Sequence, residues 1–568
     1  MNLEDNNKYF KDSLQKSTFF SGKKNSLSIF STCNMSFKCW IIHSLLLLCC
    51  GACQQTNVPA SNKFLQLSIP REVNSLDPRY AIDCPSIFPI KMLFEGLMCI
   101  GLDGKVKHAL AEKYEISKDR KTYTFHLRPS NWSNGDELTA FDFEYTWKKT
   151  IDPKLQTVGK HNFYVLKNAQ AIVHGTLPVD ALGVKAVDAK TLVVDLEHPA
   201  PYFLEVVATS SFFPINAKVD QENPDWATKS GKEFVCNGPF SLNIHKLDNE
   251  FIFVKNPSYW DASHIRLPGV KIFIIKDAMT QLSMFEKNEI DFIGKPLSRL
   301  PLDAISTLKK EGKIHYFPCA GLHWYFFNVE SFPFNNKKIR QAFTYAVNRK
   351  DITDYVLQEG ETPALGLLPP LLALQKEPYF KDNNSEVALK LFNEGLAELG
   401  ITKKDLPKIT LQCSSSFSVD HKIAVALQDQ WQKVFDIHVA LQQQEGKVYF
   451  STLAAGNFQI GAISWVSWLR DPIYIMQTFR YRSDRVNSSR WENPQYQKLL
   501  EATEEEVDTS KRTQLFHEAE KILMDEFPVI PIYYMTVSYA QKKNLKDVYI
   551  SELYDIDFRW SYFDDSES

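Results

Sequence analysis

The chain reads as a mixed α/β protein of more than one domain, with a ligand cleft between domains. Three observations lead there. Strand-like and helix-like segments alternate along nearly the whole chain, the pattern of sheets covered by helices. At 568 residues the chain exceeds what one hydrophobic core organises, so two or more domains are required. No internal repeat or low-complexity linker separates the segments, which argues against independent beads and leaves a cleft between domains as the expected ligand site.

The elements follow in order. Leu65, Leu67 and Ile69 make an opening strand. Tyr123, Phe125 and Leu127 alternate with Thr124, His126 and Arg128, the period of a half-buried strand. Asn134-Gly135 then supplies a tight turn, because Gly accepts positive φ. Thr139 with Asp142 matches a capping box at a helix start, and Asp152-Pro153 stops that helix. Leu192, Ile252 and Lys271 open runs that read as further strands. Ser385 caps an amphipathic helix that Gly400 ends. The clearest βαβ passage places a strand at Ile409 and Leu411, a helix over residues 423–435 and a strand at Ile437, Val439 and Leu441.

Composition removes several function classes. With 44% hydrophobic and 23% charged residues the chain is an ordinary globular one. A formal net charge of −3 gives no support for a nucleic-acid partner. Aromatics at 13% exceed the usual share; most are expected in cores, and some can line a cleft. There is no phosphate-binding glycine loop, no nucleophile elbow and no zinc helix. The histidines at 315, 323, 421 and 438 show no ligand spacing. No catalytic group, metal site or cofactor is expected.

The apolar run of residues 40–51 is far shorter than the ~20 residues that a spanning helix needs. It matches a secretory signal, with Lys38 as basic flank and Gly51-Ala52 before a cleavage point. Cys53 follows, as in a bacterial lipobox, although Cys50 stands where that box usually has Leu. Cleavage there would leave a lipidated N-terminal Cys53 and a membrane anchor without a spanning helix. Met35 sits where such a signal begins, so residues 1–34 are expected to be a non-native extension. Cys50 and Cys53 also fit a C-x-x-C pattern, which at the end of a signal is read as a coincidence. The exported chain keeps Cys84, Cys99, Cys236, Cys319 and Cys413, an odd number whose pairing the sequence does not assign.

The string Trp132-Ser-Asn-Gly-Asp-Glu-Leu-Thr-Ala-Phe-Asp142, continuing to Tyr145 and Trp147, is similar to the most recognisable segment of one family. These are the extracytoplasmic solute-binding proteins of the oligopeptide/dipeptide type, the ligand-capturing components of ATP-binding-cassette importers. Other landmarks resemble the family in order: Asn74-Ser-Leu-Asp-Pro78, Phe94-Glu-Gly-Leu97, Asn237-Gly-Pro-Phe240, Lys255-Asn-Pro-Ser-Tyr-Trp-Asp261 and Tyr325-Phe-Phe-Asn328. Leu368-Pro-Pro370, Gln444-Glu445, Asp471-Pro472 and Phe527-Pro-Val-Ile-Pro-Ile-Tyr533 continue the series.

The resemblance implies a periplasmic-binding-protein type II fold. Residues 54–97, 211–316 and 531–568 would form a discontinuous first lobe, 98–210 an inserted domain and 317–530 a second lobe, closing over ligand by hinge motion. It implies a monomer in the bacterial cell envelope, anchored by lipid and facing the periplasm or the outside. Its ligand would be a peptide or peptide-like solute, and its partners a permease and its ATPase.

In this family the peptide lies extended and pairs its backbone with protein strands. By resemblance the partner strands are Glu95-Gly96-Leu97 and Ser464-Trp465-Val466, with aromatic walls from Trp465, Tyr145 and Tyr325. Tyr145, three or four helix positions from other aromatics, fits a core position equally well. The chain departs from the family at Trp468. Peptide-binding relatives carry there an Asp that pairs with the peptide's α-ammonium, and an ungapped match of Trp465 and Pro472 places Trp468 at that position. Asp471 reads as a turn residue, unless a local shift of three residues makes it the anchor. Two arginines of some oligopeptide binders align with Leu453 and Ala462.

Leaving an ammonium without its partner costs ~2–5 kcal/mol, of which a Trp face recovers ~2 kcal/mol. The expected ligand therefore lacks a free α-ammonium at this spot or presents it to an aromatic surface. Cell-wall peptides, metal chelates and haem on the same scaffold, or an envelope adhesin or chaperone, stay open as alternatives.

Overall fold

Three larger sheets organise the residues that the computed structural model describes: 62–564 and 566, without 82, 83, 158, 416, 417 and 485. The expected extension, the signal segment and Cys53 lie outside them. In the first sheet Leu65–Ile69 runs parallel to Gly269–Ile274, which continues antiparallel to Glu250–Lys255 and Phe240–Lys246. The chain's start and its middle are thus stitched together, as a discontinuous lobe requires. Residues 98–210 contribute a separate antiparallel sheet in the order Ala111–Ile116, Thr122–Leu127, Thr191–Asp195, Val184–Asp188. Its core is continuous with that of the first sheet.

The turn and capping box form as expected. Gly135 takes φ +92°, and the Asp142 carboxylate accepts the Thr139 N–H at 2.9 Å to start the helix Ala140–Ile151. Phe143, Trp147 and Ile151 recur on one face of that helix and are fully buried. Trp147 packs edge-on against Phe143, Phe163 and Phe212 and donates its indole N–H to the Phe212 carbonyl at 3.0 Å. Emptying such a site costs about 3–5 kcal/mol. One cap differs from expectation. Asn384, not Ser385, caps the helix Ser385–Glu398, because its side chain accepts the Val387 N–H.

The largest sheet runs Phe292–Gly294, Val529–Gln541, His315–Phe327, Ile460–Val466, Ile409–Ser414, Val439–Gln444, with Thr362–Pro363 on its long strand. The expected βαβ unit is here: Ile409–Ser414 and Val439–Gln444 pair in parallel around the helix Ser418–Phe435. Apolar clusters cover both faces. Phe343, Trp431 and Phe435 lie on one side, and Trp324, Phe479 and Trp491 on the other. The strands His315–Phe327 and Val529–Gln541 are each 13 residues long. The expected lobe boundaries at 316/317 and 530/531 fall inside them. Their far ends, at Tyr539, Ala540 and Gln541, pair with Phe292–Gly294 on the side of the first lobe.

The C-terminal segment folds back as two small hairpins, Leu545–Lys546 with Tyr562–Phe563 and Tyr549–Ile550 with Ile556–Asp557. Arg559 fixes this tail. Its buried guanidinium contacts Glu95 at 2.5 Å and Asp557 at 2.8 Å. No helix among the described residues is long and apolar enough to cross a membrane.

Candidate functional site

Strand alternation exposes one edge of Ile460–Val466 to a cleft. Its partner His315–Phe327 lies on one side, in the register Val466↔Gly321, Ser464↔His323, Ala462↔Tyr325. On the other side a strand partner is met only at Ile460, through Leu411. The Tyr449 hydroxyl donates to the Ala462 carbonyl at 2.6 Å and accepts the Ala462 N–H at 2.7 Å. The main-chain groups of Ala462 therefore face away from its partner strand. Hydrogen-bonding direction alternates along an antiparallel strand, so those of Ser464 and Val466 face the same open edge. Ser467 returns to the ladder, giving its N–H to Ala320 at 2.8 Å.

The loop after this edge is clamped from several sides. The Ser467 hydroxyl donates to the Leu469 carbonyl at 2.7 Å. The Arg470 N–H donates to Glu205 at 2.9 Å, and its guanidinium donates to the Gly104 carbonyl at 2.9 Å. Asp471 accepts the Ile473 N–H and takes Arg512 in a two-point ion pair at 2.5 and 3.0 Å. Asp471 is thus a saturated turn residue and not an ammonium anchor. Trp468, held between these contacts, lines a cavity together with Val466, Phe88, Leu297 and Tyr554. The carboxylates on its wall are occupied, Asp555 by Lys91 and Glu205 by the Arg470 N–H. The cavity therefore offers a mostly apolar and aromatic surface where an acidic side chain was absent from the sequence.

A polar basin adjoins it. Arg299 follows the cavity-lining Pro296 and Leu297 in the chain. Burial opposes its charge, but Tyr533, Tyr554, Glu359 and Asp420 around it outweigh that and raise its pKa. Asp420, half-buried in the first turn of Ser418–Phe435, has its pKa pushed up to about 6 by burial, against the opposing pull of Arg299. His323 is 1% exposed, stacked on Tyr533 at 5.1 Å, and its Nδ1 lies 2.9 Å from the Ser464 hydroxyl. Its Nε2 is buried without a partner. Burial, helped by Arg299, pushes its pKa down to about 3, so the ring is neutral.

Six expected contact residues are engaged within the protein. Glu95 is 1% exposed, and its carboxylate holds Tyr259, Trp260 and Arg559. Its own N–H and C=O pair with the Asn237 side chain. The carbonyls of Gly96 and Leu97 accept N–H groups of Leu110 and of Ala109 and Ala111. The segment is therefore no open strand edge in this structure, because its main-chain acceptors are spent inside the protein. Tyr325 is fully buried in the core under the large sheet and does not wall the cavity. Tyr145 is half-buried and donates its hydroxyl to Asp220 at 2.7 Å, joining the Arg79–Asp77 ion pair, which is the core reading of that residue. Trp465 points to the face opposite Ser464, between Trp324 and Tyr474, with its indole N–H buried and unpartnered.

Arg299, Asp420 and the tail residues Tyr554 and Asp555 carried no sequence signal. They belong to three distant stretches without motif, and His323 was one unremarkable histidine among several. No group of three or more metal-ligating side chains is present among the described residues. Cys99, Cys236, Cys319 and Cys413 are free thiols, and burial pushes the first three up to about 12.

The model of the bacterial extracellular solute-binding proteins, family 5, matches residues 105–487. The chain belongs to that family. The oligopeptide-binding protein OppA of Bacillus subtilis is 40% identical over 88% of this chain and 92% of its own length. The periplasmic murein peptide-binding protein MppA of Escherichia coli is 31% identical over 88% and 93%. Its solved structure superposes with a TM-score of 0.80, at 30% identity, covering 89% of this chain and 99% of that one. Haemophilus influenzae OppA in complex with a peptide superposes at 0.77, with 27% identity over 88% and 99%. The α/β architecture is accordingly that of the type II periplasmic binding proteins, and these relatives are substrate-binding proteins, not enzymes.

Proposed function

We propose that this family 5 protein captures peptides or peptide-like solutes in extended form and delivers them to the permease and ATPase of an importer. The open edge at Ser464 and Val466, beside the cavity under Trp468, carries the reading. Main-chain groups on a strand edge bind any extended peptide without reading its side chains. Trp468 supplies aromatic surface beside that edge. The names of the relatives, oligopeptide-, dipeptide- and murein-peptide-binding, agree with it. The lobes 54–97 with 211–316 and 531–568, the inserted 98–210 and the second lobe 317–530 act as bodies that close on the ligand. The protein works as a monomer outside the cytoplasm, tethered through lipidated Cys53.

Native mass spectrometry against a mixture of tri- to hexapeptides tests the reading. Bound masses spread over many sequences are expected, and a protein that stays empty overturns it. Because Trp468 offers no carboxylate, N-acetylation of a bound peptide is expected to change its affinity less than about tenfold. A collapse on acetylation that Trp468→Ala leaves unchanged would refute that part alone. Mass spectrometry of the mature protein for acylated Cys53 checks the anchor.

A further inference from the structure

Which peptides suit the cleft depends on the charge that lines its cavity, a question that rests on the peptide-binding reading. The charged residues on its wall are Lys91, Glu205 and Asp555. Lys91 and Asp555 are ion-paired and cancel. Glu205, half-buried on the short helix Phe203–Val206, is left with a charge of its own. Its carboxylate accepts the Arg470 N–H at 2.9 Å and meets no cation within 4.0 Å among the described residues. One peptide N–H fills one of about four acceptor positions on a carboxylate and none of its charge. The Arg470 guanidinium is spent on the Gly104 carbonyl at 2.9 Å. Neither Arg470 nor Arg299 lines the cavity, although they follow the lining residues Trp468 and Leu297 in the chain. Glu95 and Asp471, by contrast, are matched by Arg559 and Arg512 at 2.5 Å.

The bond to the Arg470 N–H also sets the Glu205 carboxylate against the loop that carries Trp468. We propose that Glu205 and Trp468 form a subsite for a basic side chain of the bound peptide. Its apolar stem lies against Phe88, Leu297 and Trp468, and its cationic head meets the Glu205 carboxylate. A lysine-type side chain has that division, with methylenes that suit apolar walls and a charge at the end. The indole face of Trp468 attracts the same charge through its quadrupole. A neutral side chain leaves Glu205 unmatched, and an acidic one adds repulsion. Selection therefore comes from those penalties as well as from the attraction. The strand edge at Ser464 and Val466 takes the peptide's main chain, so what enters the cavity beside it is a side chain and not the α-ammonium.

The test is calorimetry with N-acetylated tetra-alanine peptides that carry, at each position in turn, lysine, norleucine or ε-acetyl-lysine. Norleucine lacks the ammonium, and ε-acetyl-lysine keeps the length without the charge. At one position lysine is expected to bind about tenfold more tightly than either neutral probe. Glu205→Gln, which keeps an acceptor for the Arg470 N–H, should erase that advantage. Trp468→Leu should cut it about threefold and leave lysine preferred. Equal affinity for the three probes at every position, or an advantage that survives Glu205→Gln, would overturn the subsite while peptides from the mixture still bind. A Glu205→Gln protein that weakens all three probes alike would overturn it too, by making the carboxylate a structural group. So would a gain seen only when the N-terminus of tetra-alanine is left free, which assigns the ammonium to the chain end. If nothing binds, the peptide reading falls with the subsite.

Discussion

Two carboxylates in this protein, Glu95 and Asp420, feel an arginine to different degrees. Arg559 is buried between Glu95 and Asp557, with every contact at ion-pair distance and Tyr259 and Trp260 completing the set. Asp420, half-buried in the first turn of Ser418–Phe435, feels Arg299 only as an opposing pull, and burial pushes its pKa up to about 6. A buried charge is tolerable only when matched, because desolvation otherwise exceeds what attraction returns. The closed grouping at Arg559 therefore belongs to the framework. Glu95, expected to touch ligand, turns out to hold the C-terminal tail in place.

The contrast breaks most visibly at Arg559. Arg559→Ala strands two buried carboxylates, and urea denaturation should show a loss of about 3–5 kcal/mol. A loss below 1 kcal/mol would mean that the closed grouping is no framework element. Trp468→Ala is the cleft counterpart. Its melting temperature should hold, while calorimetry with a bound peptide shows a loss of about 2 kcal/mol, roughly thirtyfold in Kd.

Asp420→Asn sharpens the comparison through pH. Folding raises the Asp420 pKa to about 6, so the folded chain holds that proton more tightly than the unfolded one. The stability it brings is present below about pH 4 and lost as the pH climbs to about 6. After discounting for solvent screening, the native protein should lose about 1–2 kcal/mol more than Asp420→Asn between pH 4.5 and pH 7. Denaturation curves for both proteins at the two pH values measure it. The smallest effect is expected at Tyr449, which holds the main chain of Ala462 on the open strand edge. Tyr449→Phe releases the Ala462 N–H and C=O, and should cost about 1–2 kcal/mol of stability with a weaker fall in peptide affinity.

Much of the framework was legible before any coordinates. The alternation at Tyr123, Phe125 and Leu127, the capping pair Thr139 and Asp142, and the βαβ unit around Trp431 all formed where expected. These are local matters, settled by residues a few positions apart. Of the expected site residues, Ser464, Trp465 and Val466 lie together on the strand Ile460–Val466. Tyr325 and Tyr145 were aromatic in the right string, but whether an aromatic side chain faces core or cleft depends on which sheet face it occupies. Ser385 lost its capping role to its neighbour Asn384, a one-residue difference that residue type alone does not resolve.

By itself the sequence determined the scaffold and its element order, since periodicity, turn chemistry and ordered motifs are written in neighbouring residues. Only the tertiary structure decided which charges are spent and which remain. Glu95 meets Arg559 across 464 positions of chain, and Asp471 meets Arg512 across 41. Coulomb energy depends on distance and burial in the folded state, and neither is recorded in residue order.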